Sequence, residues 1–143
     1  MSIISETERL ILRTLKVEDL DSVMNFWGNT EVMKYCGGSS CDRNRFENAI
    51  KNYIKSQKER GFSAFAVVLK ASGEVIGACG YNYTKKEDEI ELIYHFSKKY
   101  WGKGYATEAG KACVEYARKH LTISKITASV DPEHWTSRKV LEN

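Results

Sequence analysis

Gly102 and Gly104 stand in the run Tyr-Trp-Gly-Lys-Gly-Tyr-Ala-Thr-Glu-Ala, residues 100–109, between a β-rich stretch and a long amphipathic one. A strand that passes through glycines into a helix start leaves several backbone N–H groups unpaired at the positive end of the helix dipole, a ready cradle for an anion such as phosphate. Just upstream lie two residue types suited to moving protons, Glu91 and His95, with Glu89 as a competitor to Glu91. Each has a plainer reading. The glycines could simply shape a tight turn, Glu91 could be a solvated or ion-paired group, and His95 could be a packed sheet residue.

The elements that would hold these groups follow from periodicity. Arg9 to Arg13 reads as an opening strand, with Leu10 and Leu12 on one face and Arg9, Ile11 and Arg13 on the other. Val17, Leu20, Val23, Met24 and Trp27 repeat at helical spacing and stop at Gly28-Asn29. A flexible connection at 36–40 precedes a second helix from Asp42 to Arg60, with Phe46, Ile50, Tyr53 and Ile54 on one side and Gly61 at its end. The period then changes to alternation. Phe62 to Leu69 and Glu74 to Tyr83 form a hairpin over the turn Lys70 to Gly73, and after the charged turn Lys85 to Asp88 a third strand, Glu89 to Phe96, completes a meander.

Beyond the glycine loop, Ala106, Ala109, Gly110, Cys113, Val114, Ala117 and Leu121 mark one face of a long helix, and Arg118, Lys119 and His120 suit its negative end. Ile126 to Val130 is a further strand, and a short helical start follows Pro132. The order predicts an α+β fold, a mixed and mostly antiparallel sheet with helices on both faces.

Bulk properties narrow the function. A chain of 143 residues, 42% hydrophobic, supports one core, so residues 1–143 are expected to form a single domain. The net charge of +3 is far from the clustered basic surface of a dedicated nucleic-acid binder, and no direct nucleic-acid partner is expected. No apolar run approaches the roughly 20 residues that span a bilayer, and the N-terminus lacks a secretory layout, so no membrane partner and a cytoplasmic location are expected. Cys36 and Cys41 form a C-x4-C pair without a second ligand pair, while Cys79 and Cys113 lie in apolar patterns; no metal is expected.

A Walker A loop would need Gly-Lys-Ser/Thr, and a Rossmann fingerprint would need G-x-G-x-x-G near the first strand; both patterns are absent. Three pieces instead resemble GNAT-type acyl-CoA N-acyltransferases, in particular the RimJ/RimL-type branch: Thr7 to Arg13, Tyr100 to Ala109, and Asp131-Pro-Glu with Ser137 to Glu142. The resemblance implies a sheet splayed at the coenzyme site and transfer of an acetyl group from acetyl-CoA to a primary amine, a peptide N-terminus or a small amine, by direct attack in a ternary complex. The family's loop pattern falls on residues 101–106, with Trp101 where Gln or Arg is common.

By that resemblance, Gly102, Lys103, Gly104, Tyr105, Ala106 and Thr107 hold the coenzyme diphosphate through their amides, and Tyr94, His95 and Phe96 pair with the pantetheine arm as a surrogate strand. N–H groups near His95 and Phe96 are then the natural oxyanion donors. Glu91 is the implied general base. His134 stands where many members carry Asn, and Leu141 stands where they carry the Tyr that protonates the departing thiolate. Ser137 matches the branch and is implied both to contact the coenzyme and to donate to sulfur; an N-cap role is equally open. Lys98, Lys99 and Lys103 would add attraction for phosphate or simply be solvated.

The family continues past the Val-Leu-Glu segment into a terminal hairpin, whereas this sequence stops at Asn143. The expectation is a shortened member, or a homodimer in which a second chain covers the edge strand. Two alternatives to the enzyme stay open on sequence: a coenzyme-A-binding regulatory or interaction protein with degenerate catalysis, and an unrelated nucleotide-binding module. Trp27, Tyr35, Phe46 and Tyr53 could line the acceptor side or belong to the core.

Overall fold

The structure is a computed structural model that describes residues 3–28, 43–83, 89–121 and 125–127. Its elements are β1 (Ile3–Glu6), β2 (Leu10–Thr14), a 3-10 turn (Val17–Asp19), α1 (Leu20–Trp27), α2 (Arg43–Arg60), β3 (Ala64–Leu69), β4 (Val75–Tyr83), β5 (Glu89–Phe96), a second 3-10 turn (Lys98–Tyr100), α3 (Tyr105–His120) and β6 (Lys125–Thr127). Strands β1 to β5 lie side by side in chain order, each antiparallel to the next. The sixth, β6, runs parallel to β5, because α3 carries the chain back across the sheet before it pairs again. The expected α+β architecture is therefore the one observed.

Alternation along the strands separates two cores. Leu10, Leu12, Phe65, Val67, Ile90, Leu92 and Phe96 meet Ala109, Cys113 and Ala117 of α3 on one face. On the opposite face Ala64, Ala66, Ala78 and Ile93 meet Val23, Phe26 and Trp27 of α1 and Phe46 and Ile50 of α2. Small residues on this second face of the sheet let the aromatic side chains of the two helices approach closely, with the Trp27 and Phe46 ring centroids 6.1 Å apart.

Several local expectations need correction. A strand precedes the expected first one: β1 pairs with β2 through Ile3–Arg13 and Glu6–Ile11. Its half-exposed Ile-Ile-Ser-Glu sequence carries too little alternation to announce it. Val17 is exposed rather than on the buried face of α1, because its turn is 3-10 and is held by Asp19, whose carboxylate accepts from the Lys16 N–H at 2.9 Å. Asp19 is also gripped at two points by Arg13, both at 2.8 Å, giving a buried ion pair. Ile54 is 39% exposed, and the buried residue of that helical turn is Ser56, which donates to the Phe62 carbonyl at 2.7 Å. The final helical start, the Cys36–Cys41 pair, Tyr35 and most of the strand expected at 126–130 lie outside the described residues.

Candidate active site

The glycine loop is set by backbone conformation. Gly102 and Gly104 have φ of 77° and 83°, in the left-handed region where a side chain is strained. Helix α3 begins immediately after, with Gly104 as its N-cap. The first intrahelical bond runs from the Glu108 N–H to the Gly104 carbonyl at 3.0 Å, so the N–H groups of Tyr105, Ala106 and Thr107 have no intrahelical acceptor. A Cβ at Gly102 would meet nothing within 4 Å, which leaves that side of the loop open to a ligand. Lys103 is exposed at the mouth. Six of the residues expected at the cradle, 102–107, thus form one turn at a helix N-terminus whose free donors suit a phosphate group.

Strand β5 delivers its end to the same place. The Ser97 N–H donates to the Ile76 carbonyl at 3.0 Å, and strand alternation then turns the main chain of His95 toward β4 and that of Tyr94 and Phe96 away from it. On that far side the Phe96 carbonyl accepts from the Trp101 indole N–H at 2.9 Å, which ties the loop to the strand end. Among the described residues, pairing between β5 and β6 extends from Glu89–Lys125 to Glu91–Thr127. Beyond that point alternation directs the main chain of Leu92, Tyr94 and Phe96 away from β4, and that of His95 toward it.

The side chains of Glu91, Ile93 and His95 share the face covered by α1 and α2, as alternation predicts. The His95 Nδ1 accepts from the Trp27 indole N–H at 3.3 Å. Burial pushes its pKa down to about 4, so the ring is neutral near pH 7 and is no candidate for an acid there. Glu91 borders a cleft of about 370 Å³ between α2 and β4–β5, together with Asn52, Tyr53, Ser56 and Asn82. It lies directly across from Asn82 in the β4–β5 register. Asn82 in turn accepts from the Tyr53 hydroxyl at 2.8 Å. Burial, opposed by that hydrogen bond and reinforced by the Glu91 charge, pushes Tyr53 up to about 12, which keeps its hydroxyl protonated.

Two groups behave differently from expectation or escaped it. Lys99, though largely exposed, pairs with Glu74 at 3.6 Å, beside Tyr100, whose hydroxyl donates to the same carboxylate. On the other flank, Glu108 in the first turn of α3 accepts from the Arg9 side chain at 2.7 Å, from the Arg9 N–H at 2.9 Å and from the Thr7 hydroxyl. Burial opposes the charge on Glu108, but these donors outweigh it and hold the carboxyl below its usual range. Both partners sit in the motif pieces at 7–13 and 100–109, yet no local pattern links residues so far apart in sequence. His134 and Ser137 lie outside the described residues.

A glycine loop at a helix start is thus joined to a strand end beside a polar cleft. The sequence model of the acetyltransferase (GNAT) domain matches residues 9–143. This chain belongs to the GNAT acetyltransferase family. N-acetyltransferase p20 of Bacillus licheniformis is 33% identical over 139 residues, 96% of this chain and 78% of that protein. The crystal structure of a GNAT-family acetyltransferase from Bacillus anthracis is 26% identical and superposes with a TM-score of 0.81, covering 99% of this chain and 81% of that one. RimL, a ribosomal L7/L12 α-N-protein acetyltransferase solved with coenzyme A, shares the fold at 12% identity, with a TM-score of 0.76 over 99% of this chain and 81% of its own. Acetyltransferase activity accords with membership of this family. Among the described residues of this GNAT protein, no helix is long and apolar enough to cross a membrane.

Proposed function

We propose that this acetyltransferase carries an acetyl group from acetyl-CoA to a primary amine, on a peptide N-terminus or a small molecule, within a ternary complex, and that it belongs to the RimJ/RimL-type branch. The observation that carries this reading is the left-handed pair Gly102 and Gly104, which opens the loop at the start of α3 and leaves the N–H groups of Tyr105, Ala106 and Thr107 without intrahelical acceptors. A neighbour of the same fold bears coenzyme A.

Bound acetyl-CoA would supply the activated thioester. The chain's own residues do the rest. The amides of 102–107 hold the diphosphate, and the end of β5 at Tyr94, His95 and Phe96 lies along the pantetheine arm. Glu91 takes the proton from the attacking amine in the cleft it shares with Tyr53 and Asn82. Ser137 and His134 complete the coenzyme side, Ser137 being the donor to sulfur in a sequence with Leu141 at the tyrosine position. A cytoplasmic location follows from the need for acetyl-CoA.

Thiol release on mixing the protein with acetyl-CoA and a panel of amines and N-terminal peptides tests the proposal. Turnover with at least one primary amine is expected. Coenzyme binding with no turnover across the panel would reject it.

A further inference from the structure

We propose that Arg9, outside the glycine loop, is the positioning residue of the cradle: it neutralises Glu108 and fixes the direction of the 103–104 peptide, so that coenzyme affinity depends on it. The inference rests on the reading that the loop holds the coenzyme diphosphate.

Two negative groups stand at the mouth of the cradle. One is the Glu108 carboxylate. In the first turn of a helix a carboxylate is ordinarily favourable, but here it would compete with a bound diphosphate for the same positive end. Arg9 answers it with both its side-chain Nε, at 2.7 Å, and its backbone N–H, at 2.9 Å. The other is the Lys103 carbonyl, which accepts from Arg9 Nη1 at 2.9 Å. A trans peptide points its carbonyl and the next N–H in opposite directions, so tying the Lys103 oxygen to Arg9 aims the Gly104 N–H away from Arg9.

The guanidinium is itself well held. It lies 4.4 Å from the centroid of the Tyr105 ring, and its Nη2 would be 3.4 Å from a Cβ built on Gly104. Its backbone is braced on two sides: the Arg9 carbonyl accepts from the Lys70 N–H at 2.9 Å, and the preceding turn is closed by the Thr7 N–H donating to the Leu10 carbonyl at 2.8 Å. A fork with five donors can serve carboxylate and carbonyl together, which an ammonium cannot do in the same geometry.

Calorimetric titration of the full chain with acetyl-CoA and with inorganic pyrophosphate tests this, using the wild type, Arg9→Met, Arg9→Lys, Glu108→Gln and the double variant Arg9→Met/Glu108→Gln, with thermal melts alongside. Arg9→Met is expected to weaken acetyl-CoA binding about tenfold, and the double variant to recover about half of that loss on a logarithmic scale, because the uncompensated carboxylate is gone. Arg9→Lys, which keeps the charge and loses the second tether, is expected to weaken binding about threefold and carries the comparison should Arg9→Met not fold. A merely structural role would lower the melting temperature without rescue of affinity in the double variant. Arg9→Met binding within about twofold of wild type, equal binding by Arg9→Lys, or a double variant no better than Arg9→Met would overturn the inference. If the wild type takes up no acetyl-CoA, the coenzyme reading fails with it; if the wild type binds and the Arg9 series does not discriminate, only the positioning role falls.

Discussion

The Trp27 indole N–H donates to His95 Nδ1 across 3.3 Å, joining the end of α1 to β5. With Nδ1 accepting, the neutral imidazole carries its proton on Nε2. Burial holds this state by lowering the pKa from 6.5 to about 4. Because the folded pKa lies below the unfolded one, the unfolded chain takes up the proton first as pH falls. Stability is therefore complete above about pH 6.5 and declines toward pH 4, by at most about 3 kcal/mol from this residue. Urea unfolding of wild type and His95→Gln between pH 7 and 4 checks this: the wild-type curve should fall more steeply, and parallel curves would contradict it.

The glycine loop should be separable from ordinary turn strain. Gly73, in the hairpin between β3 and β4, has φ of 73° and nothing within 4 Å of a built Cβ, the same conditions as Gly102. Alanine at either position should cost about 1 kcal/mol of stability through the backbone alone. Only Gly102→Ala should also raise the KM for acetyl-CoA, by about tenfold or more. Matched melting curves and steady-state kinetics of the two variants read the difference directly.

The proposed mechanism assigns Glu91 and Tyr53 different roles in the cleft they share. Glu91→Gln should lower kcat by about a hundredfold with little change in coenzyme affinity. Tyr53→Phe removes the donor to Asn82 and should raise the KM for the amine more than it lowers kcat. Steady-state kinetics with both substrates varied separates the two patterns.

Arg13 and Asp19 form the buried pair that anchors the entrance to α1, with side chains only 10% and 5% exposed. Arg13→Met leaves the Asp19 charge buried beside the Lys16 N–H and should cost about 3–5 kcal/mol. Replacing both residues by apolar ones should cost much less than the sum of the single changes. Denaturant midpoints of the cycle measure it.

Legibility in the sequence followed the range of the interaction. The ends of β5 at Phe96 and of α2 at Arg60 matched to the residue, because alternation and helical repeat are local signals over long segments. Ile3 to Glu6 escaped because an edge strand needs little apolar alternation, and Val17 was misplaced because a side chain, Asp19, rather than helical periodicity shapes its turn. The glycine loop was legible for the same reason as β5: left-handed backbone calls for a residue type, and the type is visible. The Arg9–Glu108 link spans 99 positions and exists only once β1, β2 and α3 have packed, so neither residue announces the other. Lys99 and His95 show the converse. Residue type left attraction for phosphate or solvation open for Lys99, and proton transfer or packing open for His95; the structure adds an exposed pairing with Glu74 to the first and burial beside Trp27 to the second.

The central claim is that backbone donors at residues 102–107 hold the diphosphate of the coenzyme. Calorimetric titration with acetyl-CoA, beside acetyl-pantetheine, which lacks the diphosphate, tests it most directly. One-to-one uptake of acetyl-CoA is expected, with acetyl-pantetheine binding at least about a hundredfold more weakly. No uptake of acetyl-CoA, or equal affinity for the two compounds, would contradict it.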